Sequence, residues 1–200
     1  MRLVIGLTGA SGSIYGVRLL EVLAKHGCMV HLLLTDNARL VARHELGWEP
    51  PAEPSKLQAH CVEKFGFSPG ALRVEALRDL TSPVASGSYK VDAVILCPAS
   101  TGRIAAVAQG QSRDLLERTC DVALKEGRKL IVVPRETPLS EVQLKNLWTL
   151  ARMGVHVLPA SPGFYHKPKT VDDLVNFVVG RILNLLDIPH TLFTPWGGTV

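Results

Sequence analysis

Two short segments rich in glycine and hydroxyl side chains have the composition of loops that hold a phosphate or a polar ring. GLTGASGSIYG (6–16) and CPASTGR (97–103) each follow an apolar run and open a stretch with helical spacing. Glycine lets a backbone approach a ligand closely, and the free N–H groups at a helix start attract anions. Neither segment has the GxGxxG spacing of a dinucleotide site or the lysine of a P-loop. We therefore predict that the two loops form one cradle for a phosphate-bearing cofactor.

A charged pair, Arg135 and Glu136, follows a third apolar run in the segment PRETP. In a cleft, Arg135 would present a planar fork of donors to an anion. Glu136 would relay a proton if burial raised its pKa. A salt bridge at the surface is the alternative interpretation of this pair.

Three further side chains are candidates for holding an anion. Lys125 lies in ALKE at a predicted helix end, where a solvated lysine is equally expected. Tyr165 lies in a loop rich in proline and glycine, and Arg181 lies within the apolar stretch FVVGRILNLL. An arginine in such a stretch needs an anionic partner, from within the chain or from outside it.

Other chemistries find less support. Asp36 could imitate the acid that binds a dinucleotide ribose, which keeps a nicotinamide enzyme as an alternative, although such a residue more often caps a helix. No HExxH pattern occurs, and Asp172 with Asp173 lacks the third acid of a magnesium clamp, so we expect no metal. The four cysteines form no CxxC pair and are expected to be reduced and mostly buried. A net charge of +4 without a basic tract argues against nucleic acid.

The pattern of apolar runs predicts the fold class. The chain has 200 residues, 46% of them hydrophobic, which suits one domain over residues 1–188 with an irregular tail over 189–200 that packs on its own or a neighbouring subunit. Runs rich in Val, Ile and Leu are typical of strands in a parallel sheet, and their alternation with helices predicts an α/β fold. The predicted strands are Leu3–Leu7, Val30–Leu34, Val91–Cys97, Lys129–Val133 and Val155–Leu158. The predicted helices are Ile14–Lys25, Ala38–Leu46, Arg103–Gln109, Asp114–Glu126, Leu139–Met153 and Val171–Leu186.

Single residues indicate where helices begin and end. Gly27, Gly127 and Gly154 are suited to the left-handed conformation that ends a helix. Pro138 is expected in the first turn of its helix, and Thr170 is expected to be an N-cap. The segment 48–54, with three prolines, is predicted to be a loop.

The chain has no apolar stretch suited to export or to a membrane. The opening apolar stretch is about six residues long, shorter than the core of a signal peptide. No run reaches the roughly 18 residues of a membrane span. We expect a cytoplasmic protein.

Five segments in order resemble the UbiX/Pad family of flavin prenyltransferases, formerly described as 3-octaprenyl-4-hydroxybenzoate carboxy-lyases. They are GLTGASGSIYGVRLLEVL, ASGS (85–88), CPASTG with IAAVAQG, DLLERTCDVALKEGRKLIVVPRETPLS, and LPASPGFYHKPKTVDDLVNFVVGRILNLLDI. The resemblance implies a flavodoxin-like Rossmann subunit, a doubly wound parallel sheet in three α/β/α layers. It also implies a homododecamer with sites between subunits.

The resemblance further implies FMN as cofactor and co-substrate, and dimethylallyl monophosphate as the allyl donor. The allyl group would be joined to N5 and C6 of reduced FMN, giving prenylated FMN for a UbiD-type decarboxylase. Implied FMN contacts are Gly9, Ala10, Ser11, Thr35, Ser100, Thr101, Gly102, Arg103 and Arg135. Implied prenyl-phosphate contacts are Lys125, Arg135, Tyr165 and Arg181. Proton transfer is implied for Glu136 and Ser11, and no metal is required.

Two departures from the family pattern keep rival functions open. Leu80 stands where family members often have a tryptophan, and Arg103 stands where a small residue is common. The nearest rival is an FMN-dependent cysteine decarboxylase, although that family has a PASANT stretch where this chain has PASTGR. A flavin carrier without turnover is the other alternative.

Overall fold

A computed structural model describes residues 1–197, which form a sheet of six parallel strands between two layers of helices. The strands are β1 (Arg2–Leu7), β2 (Met29–Leu34), β3 (Leu72–Val74), β4 (Ala93–Ala99), β5 (Lys129–Pro134) and β6 (His156–Val157). The helices are α1 (Ser13–Lys25), α2 (Asp36–Leu46), α3 (Pro54–Phe65), α4 (Thr101–Ala108), α5 (Leu115–Lys125), α6 (Glu141–Arg152) and α7 (Val171–Leu185). The strand order is β3-β2-β1-β4-β5-β6.

The strands are apolar throughout because both faces of the sheet are covered. Successive side chains of β1 alternate between the two faces: Leu3 and Ile5 join one core, and Val4 joins the other. The first core includes buried residues of α1, α2, α3 and α7, and the second includes those of α4, α5 and α6. The three-layer flavodoxin-like architecture predicted from the resemblance is confirmed.

All five predicted strands are present, but β3 and α3 were missed. β3 has only three residues, and an exposed Arg73 separates its two buried side chains, so it gives no apolar run. α3 begins at Pro54, the residue that we expected to end a loop. Proline suits the first turn of a helix because its missing N–H has no partner there.

Most of the predicted helix ends are correct. Gly27, Gly127 and Gly154 have positive φ, and Thr170 caps α7 by accepting a hydrogen bond from the Asp173 N–H at 3.1 Å. The prediction for Pro138 was wrong, because α6 begins at Glu141 after the N-cap Ser140.

The strand order creates a crevice between the loops that follow β1 and β4. From β1 the chain runs outward to β2 and β3, then crosses back to β4 and continues to β5 and β6. The connections after β1 and β4 therefore diverge to opposite faces, and ligands of open α/β sheets bind at this point.

Residues 189–197 pack partly on the domain, where the Phe193 ring lies 4.8 Å from that of Phe177. The predicted tail also includes residues 198–200, which lie outside the described part.

Two further findings bear on the sequence predictions. Among residues 1–197, no helix is long and apolar enough to cross a membrane. The four cysteines are free and buried.

Candidate functional site

Arg135 links the loops after β5 and β1 across the end of the intervening strand β4. Its Nε donates to the Ser11 carbonyl oxygen at 3.1 Å, and the side chain is half-buried. The charged pair and the first glycine loop, which lie more than a hundred residues apart, therefore meet at one edge of the sheet. The guanidinium keeps further N–H groups for an anion, because it carries five in all.

The turn that opens α1 holds an acid from within the chain. Gly12 has φ 103°, a left-handed conformation that favours glycine, and its N–H lies 3.0 Å from both carboxylate oxygens of Glu45. The Ser13 N–H donates to the same carboxylate at 2.8 Å. Burial raises the pKa of Glu45, but hydrogen bonds from the Ser11 hydroxyl and from these two N–H groups bring it below its ordinary value. Two of the donors that we expected to meet a ligand are thus engaged by Glu45.

Sequence reasoning missed Glu45 entirely. It lies near the end of α2, 33 positions after Gly12, in a segment with no glycine or hydroxyl pattern. Only the packing of α2 beside α1 brings its carboxylate to the helix start. The sequence shows only that an acid lies on the last turn of the helix after β2. Acids at such positions are too common to predict a contact with the start of α1.

A cavity of about 350 Å³ lies in the crevice between the loops after β1, β2 and β4. It brings together four of the implied FMN contacts, and its lining includes Gly9, Thr35, Ser100 and Arg103. We call it the crevice pocket. Gly9 cannot be replaced without movement, because a Cβ there would lie 2.4 Å from the Cβ of Asn37.

Hydroxyl groups around the crevice pocket are placed by the strand ends. Thr8 donates to the Pro98 carbonyl at 2.8 Å and accepts from the Ser100 N–H at 2.7 Å, which ties the β1 loop to the β4 loop. Thr35 caps α2, because its hydroxyl oxygen accepts a hydrogen bond from the Ala38 N–H at 3.1 Å. The hydroxyl proton of Thr35 remains available for a hydrogen bond to a ligand. Ser100 caps α4 without a side-chain hydrogen bond, so its hydroxyl remains free for a ligand.

Asp36 does not cap its helix. The N-cap is Thr35, and Asp36 is the first residue of α2 with a side chain that is 99% exposed. Asp36 also lines the crevice pocket, where its carboxylate would repel a phosphate.

The Arg103 guanidinium is held by two acids of the α5 start. Its Nη1 lies 2.7 Å from Glu117 Oε1, and its Nη2 lies 2.5 Å from Asp114 Oδ2. Asp114 is also the N-cap of α5, since it accepts from the Glu117 N–H at 3.0 Å. The family resemblance implies that Arg103 contacts the flavin and marks it as a departure from the family pattern, but we did not predict its two acid partners.

A second cavity, of about 420 Å³, lies at the ends of β5 and β6. Arg135 and Glu136 line it together with the apolar side chains of Leu139, Leu147 and Ala160. Glu136 is exposed, and its carboxylate accepts from the Thr137 N–H at 3.2 Å. The burial that we expected for this carboxylate is therefore not provided by residues 1–197 of one chain.

Tyr165 packs on α7, and Arg181 lies in the same helix. The Tyr165 ring packs edge-on against Phe177 at 5.6 Å and against Trp196 at 5.4 Å. Arg181 follows Phe177 by one helical turn and is exposed, and within the described part of the chain it forms no salt bridge. The anionic partner that we expected for this arginine is thus not supplied by residues 1–197.

Lys125 lies at the other end of the sheet from Arg135. It is the last residue of α5, shortly before β5 begins, whereas Arg135 directly follows the last residue of β5. A strand of six residues spans about 20 Å. Lys125 contacts Glu126 at 2.5 Å and lies beside Gly87 of the ASGS segment. One chain does not bring Lys125 to the site that contains Arg135.

The remaining implied contacts lie at the same edge of the sheet as the crevice pocket. Ala10 is buried in the β1 loop, and Thr101 and Gly102 open α4. A Cβ on Gly102 would meet nothing within 4 Å, so this position is open to a ligand. Leu80 is 52% exposed and follows Arg78, which lines the crevice pocket, by two positions.

Comparison with known proteins identifies the family. A model of the family described as Flavoprotein matches residues 1–183. The protein named flavin prenyltransferase UbiX from Alkalihalophilus pseudofirmus is 48% identical over 193 residues, which cover 96% of this chain and 94% of that protein. The chain belongs to the flavoprotein family of UbiX flavin prenyltransferases. The family predicted from the five segments is confirmed.

Solved structures of this family share both the fold and the length of the chain. AnUbiX (PadA1), crystallised in complex with FMN and dimethylallyl pyrophosphate, is 34% identical with a TM-score of 0.87, and the match covers 100% of this chain and 98% of that one. A dodecameric FMN-dependent UbiX-like decarboxylase from Escherichia coli O157:H7 is 35% identical, also with a TM-score of 0.87, and covers 99% of this chain and 100% of its own. The peptidyl-cysteine decarboxylase EpiD, at 15% identity and a TM-score of 0.57, shares the fold alone.

Proposed function

We propose that the protein joins the dimethylallyl group of dimethylallyl monophosphate to N5 and C6 of reduced FMN, and so makes prenylated FMN for a UbiD-type decarboxylase. The observation that carries the proposal is the contact of Arg135 with Ser11, on a chain that is 48% identical to a flavin prenyltransferase. The contact supports the proposal because the Arg135 guanidinium, which is suited to bind an anion, lies beside the hydroxyl-rich β1 loop.

The residues of the crevice pocket fit FMN. The free Ser100 hydroxyl, the Thr35 proton and the open start of α4 at Gly102 are donors for phosphate and ribityl oxygens. Gly9 lets the backbone lie close to α2, where any side chain would collide with Asn37. Reduced FMN supplies the nucleophilic atoms N5 and C6 that take the allyl carbons.

Cations and a phenol of this chain stabilise the departing phosphate. Loss of phosphate from an allyl group develops negative charge on its oxygens, which preorganised donors in a water-poor site stabilise strongly. Arg135 is fixed by Ser11, and Tyr165 is fixed by Phe177 and Trp196. Arg181 is exposed and forms no salt bridge among residues 1–197, so it is available to the same phosphate.

A complete phosphate site requires a second copy of the chain. Lys125 and the adjacent ASGS segment are separated from Arg135 by the length of β5, so a Lys125 that acts on the same phosphate comes from another subunit. A dodecamer with sites between subunits provides this arrangement. Such an interface would also cover Glu136 and exclude water from the allyl group.

Glu136 and Ser11 are the two groups that we assign to proton transfer. Glu136, once covered, accepts the proton released at ring closure. Glu45, which accepts from the Gly12 and Ser13 N–H groups and has a lowered pKa, stays ionised and is an acceptor for the neighbouring Ser11 hydroxyl. The four buried free thiols and the use of a reduced flavin favour a reducing compartment, and we place the reaction in the cytoplasm.

The decisive experiment is anaerobic incubation of the protein with reduced FMN and dimethylallyl monophosphate. Mass spectrometry of the extracted flavin should show the gain of one dimethylallyl unit. Binding of both compounds without a mass gain would instead indicate a flavin carrier, the alternative to which the exposed Leu80 gives weight.

A cysteine decarboxylase remains the second candidate. The related Escherichia coli protein is described as an FMN-dependent UbiX-like decarboxylase, with no mention of cysteine, and the cysteine decarboxylases SpaF and TvaF share only the fold, at 16% and 19% identity. Release of carbon dioxide from a peptide that ends in cysteine, with no change in the flavin mass, would select this function.

A further inference from the structure

Glu117 is a buried carboxylate that binds two arginines. Its side chain is 0% exposed, and Oε1 lies 2.7 Å from Arg103 Nη1 and 2.9 Å from Arg113 Nη2. Oε2 accepts from the Arg113 N–H at 2.9 Å and from Arg113 Nε at 3.2 Å. Burial raises the pKa of Glu117, but the hydrogen bonds from Arg113 and the charges of both arginines bring it below its ordinary value. An ionised carboxylate this deeply buried needs such partners.

Both arginines line the crevice pocket, whereas Glu117 does not. Arg78 lines it as well, so three arginines line one cavity together with two aspartates, Asp36 and Asp114. Arg113 is 68% exposed, and without Glu117 its long side chain would have little to fix it over the cavity. The two hydrogen bonds and the backbone contact hold it in one place. Glu117 therefore acts on the cavity through the arginines.

The rest of the crevice directs a phosphate toward these arginines. The α1 start already holds the Glu45 carboxylate, and the α2 start presents Asp36, so both repel an anion. The α4 start has the free hydroxyl of Ser100, followed closely by Arg103. Arg103 uses one terminal nitrogen for each acid partner and keeps its Nε–H and the second hydrogen of each terminal nitrogen.

We propose that Glu117 is a positioning residue that holds Arg103 and Arg113 at the rim of the crevice pocket, where they select a flavin carrying a phosphomonoester over one without it. The inference rests on the proposed function only for the binding of FMN. A protein that binds FMN but does not prenylate it would refute the proposed function and leave this selection untouched.

The test is to titrate the full-length, flavin-free protein with FMN and with riboflavin, which differ only in the phosphate. Hydrogen bonds to charged groups contribute enough for about a tenfold change in affinity each. Glu117→Gln should therefore lower the preference for FMN over riboflavin at least about tenfold, while riboflavin affinity stays within about twofold. Inorganic phosphate should compete with FMN for binding to the wild-type protein. In Glu117→Gln the same phosphate concentration should weaken FMN binding much less.

Arg113→Ala is the second variant, because its exposed side chain can be removed without opening the core. It should lower the same preference in the same direction, even if Glu117→Gln fails to fold. Arg152→Ala, on the exposed face of α6, removes an equal charge and should change neither affinity. If both variants weaken FMN and riboflavin by the same factor, or leave the preference unchanged, the proposal is overturned.

Discussion

Arg135 and Ser11 are joined by a hydrogen bond of 3.1 Å, from the guanidinium Nε of one to the carbonyl oxygen of the other. The bond spans two sheet positions, since β4 lies between the strands that carry these residues. It holds the Arg135 guanidinium against the β1 loop, and the roles proposed for this loop in flavin binding and for Arg135 in phosphate binding both require that placement. Several measurable consequences depend on this arrangement.

Arg135→Lys should lower kcat/KM for prenyl transfer at least about tenfold, because an ammonium on a flexible stem cannot replace a planar fork that binds Ser11 and an anion together. Steady-state kinetics with reduced FMN and dimethylallyl monophosphate checks this, with Arg152→Lys as the matched control. An Arg135→Lys enzyme with wild-type kcat/KM would remove Arg135 from the phosphate site.

Glu136→Gln should reduce kcat by about 10²- to 10⁴-fold, the usual contribution of general acid–base catalysis, and leave the affinity for FMN unchanged. The amide keeps the shape of the side chain and removes only its basicity. Single-turnover kinetics and flavin titration separate the two effects. Equal losses in rate and flavin affinity would contradict a role in proton transfer.

Lys125→Ala and Arg135→Ala should each be inactive alone, but their mixture should regain activity after subunit exchange. If one site takes Arg135 from one chain and Lys125 from another, random mixing in equal amounts restores about a quarter of the sites. The measurement is the rate of prenyl transfer in the mixture relative to the wild type. A mixture that stays inactive after proven exchange would mean that Lys125 does not complete the site of a second subunit.

Glu45→Gln should destabilise the protein by about 0.5–1 kcal/mol, a value at the lower end for a charge at a helix terminus because solvent screens the partly exposed carboxylate. The pKa of Glu45 is lowered on folding, so its contribution is present above the ordinary value of 4.5 and is lost as the pH falls through the folded pKa. Denaturant titrations at pH 7 and below pH 4.5 should show the difference between variant and wild type shrinking with acid. A difference independent of pH would refute an ionic role.

Gly9→Ala should lower both the Tm and FMN binding, because its Cβ would lie 2.4 Å from that of Asn37. Gly102→Ala is the matched control for sterics, since nothing lies within 4 Å of its added Cβ. Calorimetric scans should show a lowered Tm only for Gly9→Ala. Any loss of FMN affinity in Gly102→Ala at unchanged Tm would then report a direct ligand contact.

Local sequence was enough to predict the layers of the fold. Runs such as Leu3–Leu7 are apolar at every position because both faces of the strand are buried. Such a run can be recognised in the sequence without knowing which strands and helices pack against it. β3 could not be recognised in this way, because its three residues include one exposed arginine and so form no apolar run. The α6 start was displaced from Pro138 to Glu141 because a capping box at Ser140, with Gln143, fixes the first turn.

By itself the sequence determined the fold class, the family, the hydroxyl-rich loops and which basic residues are candidates for binding an anion. These features depend on residue types and on their order along the chain. Tertiary structure alone decided which groups meet. Glu45 satisfies the α1 start, Glu117 holds two arginines at the crevice, and Lys125 lies a strand's length from Arg135. Such pairings arise when helices pack on a shared sheet, and no local pattern records contacts between residues far apart in the chain.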